Sequence, residues 1–326
     1  MKRKIIAIAA GEPNSISSEI IFNVWSKRKK FVHLPFFIVG SYVLLEKQRK
    51  NLKFNKIKLK KVTADFSEKD LLGNALPVLN INYNQNVAFR NISKKSRSYI
   101  FKCLDLCLKL SKSKKIVGFI NCPISKEHLL QKNFKGITEY LAKKNSMLGK
   151  EAMLIYNPRL AVSPITTHIR LFDIKKSLNK TVIINKVKTI DNFYKQILKK
   201  KPKIGILGIN PHNFSGSMNR SDEDNIVLPA IKFLKRKKIN VIGPISPDTS
   251  FIIYKNHKID VIVGMYHDQV LTPFKSIFGF NAINITLGLP FIRISPDHGV
   301  GSNIMGKKIA DDKSLIESVR FFNNLK

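Results

Sequence analysis

Short apolar runs alternate along this chain with longer stretches in which apolar positions recur every three or four residues. The short runs are rich in β-branched residues and predict buried strands, whereas the longer spacing predicts amphipathic helices. The predicted strands cover residues 4–10, 35–40, 56–62, 115–121, 152–156, 160–167, 203–209, 239–243, 259–266 and 282–287. The predicted helices include residues 17–29, 90–113, 138–147, 181–199, 222–238 and 312–324.

This alternation of strands and helices predicts an α/β fold with a mainly parallel sheet. The chain has 326 residues, without a repeat, a low-complexity tract or a Gly/Ser linker. We therefore expect one catalytic unit of two α/β lobes sharing a continuous sheet. Lobe one is expected at approximately 1–125 plus 300–326, and lobe two at approximately 126–299.

Three histidines follow apolar runs and are the first candidates for chemistry. They are His168 in "AVSPITTHIR", His212 in "IGILGINPHN" and His267 in "VIVGMYHDQV". Ligands of open α/β sheets bind beyond the carboxyl ends of the strands, where three imidazoles could meet on one divalent metal. A lone histidine after a strand is more often an ordinary loop residue, and spacing alone does not make the three converge. Neither HExxH nor CxxC occurs.

Other polar residues follow the strands in the same way. "NCPISKEHL" supplies Lys126, "FKGITEYL" supplies Thr138 at a predicted helix start, and "PISPDTSF" supplies Asp248. The stretch 264–299 is the richest, and its candidates are His267, Asp268, Lys275, Asn284, Arg293, Asp297 and His298. Its cations could pair with Asp268 and Asp297 as structural salt bridges, or they could hold an anionic substrate.

The charge is strongly positive, with 58 Lys and Arg against 22 Asp and Glu, a net charge of +36. Nucleic-acid binding is nevertheless not expected, because the excess is lysine in scattered short runs without interleaved aromatic residues. No apolar run approaches the roughly 18 residues of a membrane span, so we expect no membrane association. Three cysteines do not form a disulfide framework, and a reduced, cytoplasmic protein is expected.

Six segments in order give a specific resemblance: "GEP" after the first strand, "TTH", "GINPH", "MYHDQ", "NITLGLPFIRISPDHG" and "GKKIAD". From Gly11 to about Ser314 the chain closely resembles the 4-hydroxythreonine-4-phosphate dehydrogenase family of pyridoxal 5′-phosphate biosynthesis. The resemblance implies a homodimer with the isocitrate/isopropylmalate dehydrogenase-like two-lobed α/β/α architecture.

The resemblance also implies roles for particular residues. His168, His212 and His267 match the family's metal ligands, which are contributed across the dimer interface. Thr138, Lys275, Asn284 and Arg293 match its contacts to a small phosphorylated amino-acid substrate. The family oxidises the 3-hydroxyl of 4-phosphohydroxy-L-threonine with NAD(P)+, and loss of CO2 gives 3-amino-2-oxopropyl phosphate. Asp248 and Lys126 are expected to be catalytic, as proton-relay or positioning groups.

The chain departs from the family pattern in four places. Ile137 in "GITE" replaces a histidine that contacts the substrate phosphate in the family. "GEPAGIGPE" has become "GEPNSISSE", "NPHAGE" has become "NPHNFS", and "DHGT" has become "DHGV". Losing a charged hydrogen bond at Ile137 would cost roughly 1.5–3 kcal/mol of phosphate affinity.

Several alternatives therefore stay open. The first is a related metal-dependent decarboxylating dehydrogenase that acts on a different hydroxy acid. The second is a non-catalytic basic binding protein on the same scaffold. The metal could be zinc, cobalt, magnesium or manganese, and the cofactor NAD or NADP. Neither a G-x-G-x-x-G nor a Walker A sequence is present, so the cofactor-binding residues stay unassigned.

Overall fold

The computed structural model describes residues 4–125, 127, 136–214 and 221–325. The chain divides into two compact units. Unit 1 comprises Met1–Gly136 with Pro290–Leu325, and unit 2 comprises Ile137–Leu289.

The strands of the described residues are short and mostly buried. In chain order they are β1 Ile6–Ala9, β2 Phe36–Gly40, β3 Lys58–Val62, β4 Ala75–Asn80, β5 Gly118–Asn121, β6 Ala152–Asn157, β7 Leu160–Pro164, β8 Ile204–Leu207, β9 Val241–Ile245, β10 Val261–Gly264, β11 Ile283–Leu287 and β12 Ile292–Pro296.

The α-helices of the described residues connect these strands. They span Ser17–Lys27, Tyr42–Asn51, Glu68–Leu71, Arg97–Lys112, Ile137–Lys144, Ile174–Ser177, Lys180–Gln196, Leu228–Arg236, Pro247–Ile253, His267–Phe278 and Lys313–Asn323. Side-chain caps fix some of their starts, because the first backbone N–H groups of a helix lack partners within it. Asn179 Oδ1, for example, accepts a hydrogen bond from Val182 N at 2.9 Å.

The strands of unit 1 are ordered β3-β4-β2-β1-β5-β12, and every neighbouring pair is parallel. The aromatic side chains that fill its core are buried on both sides of these strands, and they include Phe22, Phe36, Phe37, Phe119 and Phe322. The indole of Trp25 meets the ring of Phe36 edge-on, with centroids 5.2 Å apart. A β-carbon added at Gly118 would lie only 2.3 Å from the Ile292 carbonyl oxygen, so β5 needs a glycine to approach β12.

The strands of unit 2 are ordered β11-β6-β7-β10-β8-β9. The run β7-β10-β8-β9 is parallel, whereas β6 pairs antiparallel with both β7 and β11. One core cluster joins Leu207 and Ile262 of these strands to Phe274 of the helix His267–Phe278. The four parallel strands bring their carboxyl ends to one edge of this sheet.

The predicted α/β class with a mainly parallel sheet is confirmed. Two strands were not predicted: β4 contains Pro77, which argues against a strand between two neighbours, and β12 contains Arg293 amid its apolar residues. The helix predicted at 90–113 is shorter and spans Arg97–Lys112. The helix His267–Phe278 was not predicted, and it accommodates Pro273 in its interior.

All three cysteines, Cys103, Cys107 and Cys122, are free and buried in unit 1. Burial raises the pKa of each thiol, that of Cys103 to about 12, so each remains protonated at neutral pH. Among the described residues, no helix is long and apolar enough to cross a membrane.

Candidate metal and substrate site

The loops that follow four adjacent parallel strands of unit 2 carry the predicted metal ligands and one predicted catalytic residue. His168 follows β7, His267 follows β10, His212 follows β8, and Asp248 follows β9. Since the strands lie in the order β7-β10-β8-β9, these four side chains belong to neighbouring loops at the carboxyl edge of the sheet.

The imidazoles of His168 and His267 lie close together, with ring centroids 5.9 Å apart and ring planes at 41°. Two imidazoles bound to one tetrahedral metal have ring centres roughly 5 Å apart, so this pair fits a common ion. Within the described part of the chain, however, no three His, Cys, Asp or Glu side chains form a group that could hold a metal. The pair is therefore compatible with a metal, and the rest of the coordination sphere is not assembled by these residues alone.

The third predicted ligand, His212, occupies an unusual backbone conformation. His212 and Asn213 both have positive φ angles, +50° and +55°, in the left-handed region that non-glycine residues seldom adopt. Nδ1 of His212 lies 4.0 Å from Oδ2 of Asp248. The Ser246 hydroxyl donates to Asp248 at 2.7 Å and lowers the pKa of that carboxyl, with a smaller contribution from His212.

A buried carboxylate holds the backbone that leads to His212. Glu223, only 2% exposed, accepts hydrogen bonds from the N–H groups of Ile209 and Asn210, each at 2.8 Å. The Asn210 side chain adds a third bond at 3.3 Å. Burial alone would raise the pKa of Glu223, but these hydrogen bonds outweigh it and the net shift is downward. The loop is thus anchored by an ionised group.

His267 has a carboxylate partner next to it in the sequence. Its Nδ1 lies 2.7 Å from Oδ1 of Asp268. A carboxylate on one ring nitrogen orients the imidazole and raises the basicity of the other nitrogen, which is the usual support of a histidine ligand.

Three of the predicted substrate contacts also lie in unit 2. Thr138 is the second residue of the helix Ile137–Lys144, and its hydroxyl lies 3.3 Å from that of Thr286 on β11. Asn284 is two residues earlier on β11, and its buried Oδ1 has no hydrogen-bond partner. Lys275 is exposed on the helix His267–Phe278. An acceptor buried without a partner is costly unless a ligand or water supplies the donor, so Asn284 fits a binding role.

The fourth predicted substrate contact, Arg293, belongs to unit 1. It lies on β12 and is only 4% exposed. Its Nε donates a 2.6 Å hydrogen bond to Oδ1 of Asn121, at the end of neighbouring β5. A buried guanidinium requires such partners, and this bond fixes the orientation of the planar group.

Two further residues of the predicted site are Ile137 and Lys126. Ile137, which stands in place of the family histidine, is only 7% exposed. An apolar side chain there supplies no donor to an anion. Lys126, the second predicted catalytic residue, lies outside the described residues.

The altered loop after β1 is held by side chains that the family pattern lacks. The amides of Asn14 and Gln85 bond each other in both directions, at 3.2 and 3.0 Å. The Ser15 hydroxyl donates to the carbonyl of Glu12 at 2.6 Å. Hydrogen bonds from polar side chains therefore hold this loop, in which the family pattern has glycines.

Sequence analysis did not single out Glu223, Thr166 or Gln269, which support the histidine loops through hydrogen bonds. Thr166 and Gln269 each lie two residues from a predicted ligand, in "TTH" and "MYHDQ". Glu223 lies in the acidic run before the helix Leu228–Arg236. Proximity to a ligand was the available signal for the first two, and nothing in the sequence distinguishes Glu223 from its acidic neighbours.

Comparison with known proteins gives one consistent family. The model of the family described as pyridoxal phosphate biosynthetic protein PdxA matches residues 33–322. A 4-hydroxythreonine-4-phosphate dehydrogenase of Sulfurihydrogenibium sp. is 39% identical over 322 residues, covering 96% of each chain. A protein of Oceanobacillus iheyensis, provisionally named D-threonate 4-phosphate dehydrogenase, is 30% identical and covers 98% of this chain and 96% of its own.

The solved structures agree with that relationship. The crystal structure of 4-hydroxythreonine-4-phosphate dehydrogenase from Klebsiella pneumoniae has a TM-score of 0.82 and 28% sequence identity. The match covers 97% of this chain and 96% of that one.

Proposed function

We propose that this chain is a 4-hydroxythreonine-4-phosphate dehydrogenase, because it belongs to the family described as pyridoxal phosphate biosynthetic protein PdxA. Its substrate is 4-phosphohydroxy-L-threonine, which it oxidises at the 3-hydroxyl with loss of CO2 to give 3-amino-2-oxopropyl phosphate. One observation carries the proposal beyond family membership. His168 and His267 lie as a close pair at the carboxyl edge of parallel strands, and His212 occupies the adjacent loop.

The metal is a divalent cation held by His168, His212 and His267, and the hydride acceptor is NAD or NADP. When bound, the cation lowers the pKa of the substrate hydroxyl and the dinucleotide accepts the hydride. Neutral imidazoles with open positions suit zinc or cobalt, and a substrate that chelates the ion also permits magnesium or manganese.

The chain's own residues bind and orient the substrate. Arg293, fixed by Asn121, and the exposed Lys275 supply positive charge for carboxylate or phosphate oxygens. Asn284 offers its buried oxygen to a substrate hydroxyl or amine, and Thr138 offers its hydroxyl. Asp248, beside His212, accepts or relays a proton at the edge of the sheet that carries the metal ligands. Lys126 is assigned the same type of role from its position in the sequence after the predicted strand 115–121.

A second copy of the chain completes the metal site in this proposal. Large apolar side chains are exposed close to the candidate ligands: Phe172, 93% exposed, follows His168 by four residues, and Ile252 shares a helix with Asp248. Contiguous patches of exposed apolar residues mark contact surfaces with another protein. A homodimer that covers them would also bring ligands from two chains together.

The cell compartment follows from the same assignment. The three cysteines are free in the described structure, as expected of a protein in a reducing compartment. We place the enzyme in the cytoplasm.

The decisive assay uses purified protein with Co2+ or Mg2+ and either NAD+ or NADP+. 4-Phosphohydroxy-L-threonine is compared with D-threonate 4-phosphate, and both reduced cofactor and released CO2 are measured. Turnover of the first with release of CO2 supports the proposal. No turnover of either, with every metal and cofactor, would leave oxidation of an unphosphorylated hydroxy acid or a non-catalytic role on the same scaffold.

Oxidation of a different hydroxy acid is the second candidate, and two observations favour keeping it. Ile137 places an apolar side chain where the family has a phosphate-contacting histidine, and the Oceanobacillus relative carries the name of another substrate. Preference for D-threonate 4-phosphate, or turnover only of an unphosphorylated hydroxy acid, would select this candidate.

The dimer has its own test. Phe172→Glu places a charge on the proposed contact surface, and light scattering should then report a monomer that has also lost Co2+ affinity. A wild-type protein that is monomeric yet binds one Co2+ per chain tightly would remove the shared site from the proposal.

A further inference from the structure

Gln269 lies at the centre of the three histidine loops. It is on the first turn of the helix His267–Phe278, directly after β10. In unit 2, β10 is flanked by β7 on one side and β8 on the other. The loop after β10 is therefore adjacent to the loops that carry His168 and His212.

The side-chain amide of Gln269 bridges two of these loops. Its Oε1 accepts a 2.6 Å hydrogen bond from the backbone N–H of Met265. Its Nε2 donates a 2.8 Å hydrogen bond to the carbonyl of Gly208. Met265 precedes His267 by two residues and Gly208 precedes His212 by four, so one side chain connects the backbone before one histidine to that before another.

The loop after β7 is connected to the same point. The backbone N–H and the hydroxyl of Thr166 both donate to the carbonyl of Met265, at 3.1 and 2.7 Å. Thr166 precedes His168 by two residues. The peptide groups at Met265 are thus bonded to Thr166 on one side and to Gln269 on the other, and a continuous path of hydrogen bonds joins all three loops.

Gly264 leaves room for this bridge, and Gly208 leaves room for the side chains that hold the loop before His212. A β-carbon at Gly264 would lie 2.9 Å from Oε1 of Gln269 and 2.5 Å from Cγ1 of Val270. A β-carbon at Gly208 would lie 2.0 Å from Oδ1 of Asn213 and 3.3 Å from Oε1 of Glu223. Side chains at either position would push against the groups that hold the loops, so the close approach depends on glycine at the end of β10 and directly after β8.

We propose that Gln269 is a positioning residue that holds the His168, His267 and His212 loops of its own chain in place for metal binding. The inference rests on the proposed function, because it takes these histidines as the ligands. His168 and His212 have exposed side chains, so the backbone is the main determinant of where their imidazoles lie. A bridge between the backbones therefore positions the ligands that each chain contributes to the shared site, without touching the ion.

The chain offers a matched control in the same unit. Asn157 Nδ2 donates to the carbonyl of Asn281 at 2.7 Å, and its Oδ1 accepts from the N–H of Arg159 at 2.9 Å. It is an amide that bridges two backbone segments, like Gln269, but it lies at the end of β6 where no histidine loop is attached. Asn157→Ala should cost comparable stability and leave the metal site unchanged.

The test compares the wild-type full chain with Gln269→Met, Gln269→Glu and Asn157→Ala. Co2+ affinity is measured by competition with a chelator, and the visible spectrum of bound Co2+ reports its coordination. We expect Gln269→Met to bind Co2+ about 10–100-fold more weakly, with an altered spectrum, and Asn157→Ala to bind within about twofold of wild type. Gln269→Glu keeps an acceptor for Met265 but loses the donor to Gly208, so its affinity should also fall.

A metal-free measurement separates this inference from the proposed function. In the apo-protein, Gln269→Met should speed amide hydrogen exchange at least tenfold in residues 208–212, and Asn157→Ala should not. Unchanged exchange and unchanged Co2+ affinity in Gln269→Met would overturn the inference, as would equal losses in Asn157→Ala. Wild-type protein that binds no Co2+ but shows the faster exchange in Gln269→Met would overturn the metal assignment and retain the bridge between loops.

Discussion

Glu223→Gln tests whether an ionised carboxylate anchors the loop before His212. The substitution keeps the size of the side chain and removes the charge that two backbone N–H groups share. A hydrogen bond to a charged acceptor contributes about 1.5–3 kcal/mol, against about 0.5–1.5 kcal/mol for a neutral one. Neutralising the acceptor of two such bonds should therefore cost about 2 kcal/mol of unfolding free energy near neutral pH.

The pH dependence makes the prediction specific. Because the folded-state pKa of Glu223 is lowered, its stabilisation is present above the unfolded value near 4.5 and is lost as pH falls through the folded pKa. The stability difference between wild type and Glu223→Gln should accordingly shrink as pH falls below about 4.5.

Glu19 in unit 1 should show the opposite pH dependence of stability, because its pKa is raised. It also accepts from two backbone N–H groups, those of Lys308 and Ala310, but burial is the larger effect and raises its pKa. The stabilisation from its protonated form is fully present below about pH 4.5 and is lost as pH rises through the raised folded pKa. Glu19→Gln should thus gain stability relative to wild type as pH rises.

Chemical unfolding from about pH 2.5 to about pH 8 measures both variants. Far-UV circular dichroism follows the whole chain, and the fluorescence of Trp25, the single tryptophan, follows unit 1. A stability loss in Glu223→Gln that is independent of pH, or equal slopes for the two variants, would refute the reasoning.

Three other substitutions have definite expected outcomes. Gly118→Ala should lower unfolding free energy by about 1–3 kcal/mol, seen in thermal unfolding, since its β-carbon would press on the Ile292 carbonyl; an unchanged midpoint would contradict this. Asp248→Asn should lower kcat about 10²–10⁴-fold with unchanged metal content, and metal loss instead would indicate a ligand. Arg293→Lys loses the planar contact to Asn121 and should raise KM about tenfold; an unchanged KM argues against substrate contact.

The strand ends could be predicted from the sequence because buried strands and their polar exits leave a local pattern. His168, His212 and His267 each follow an apolar run, and the structure places all three at the carboxyl edge of unit 2. β4 was not predicted because its pairing with β2 and β3 outweighs the Pro77 that interrupts the pattern. β12 was not predicted because its pairing with β5 outweighs the effect of Arg293.

The supporting residues of the site could not be predicted in the same way. Gln269 bonds to the backbone of Gly208, and Glu223 bonds to the backbone of Ile209. In both cases the partners are too far apart in the sequence for a hydrophobic periodicity to indicate the contact. The orphaned oxygen of Asn284 is likewise visible only when burial and hydrogen bonding are known together. The family resemblance supplied roles for individual residues, whereas the bonds that hold those residues in place are tertiary.

The three buried thiols of unit 1 allow the local unfolding of that unit to be measured by thiol labelling. Protonated and enclosed, Cys103, Cys107 and Cys122 can react with an alkylating reagent only when the interior of unit 1 is exposed. The rate of labelling therefore counts opening events in that unit alone, since unit 2 contains no cysteine. Adding metal or dinucleotide during labelling would reveal whether occupancy of either group slows the opening of unit 1, without any engineered probe.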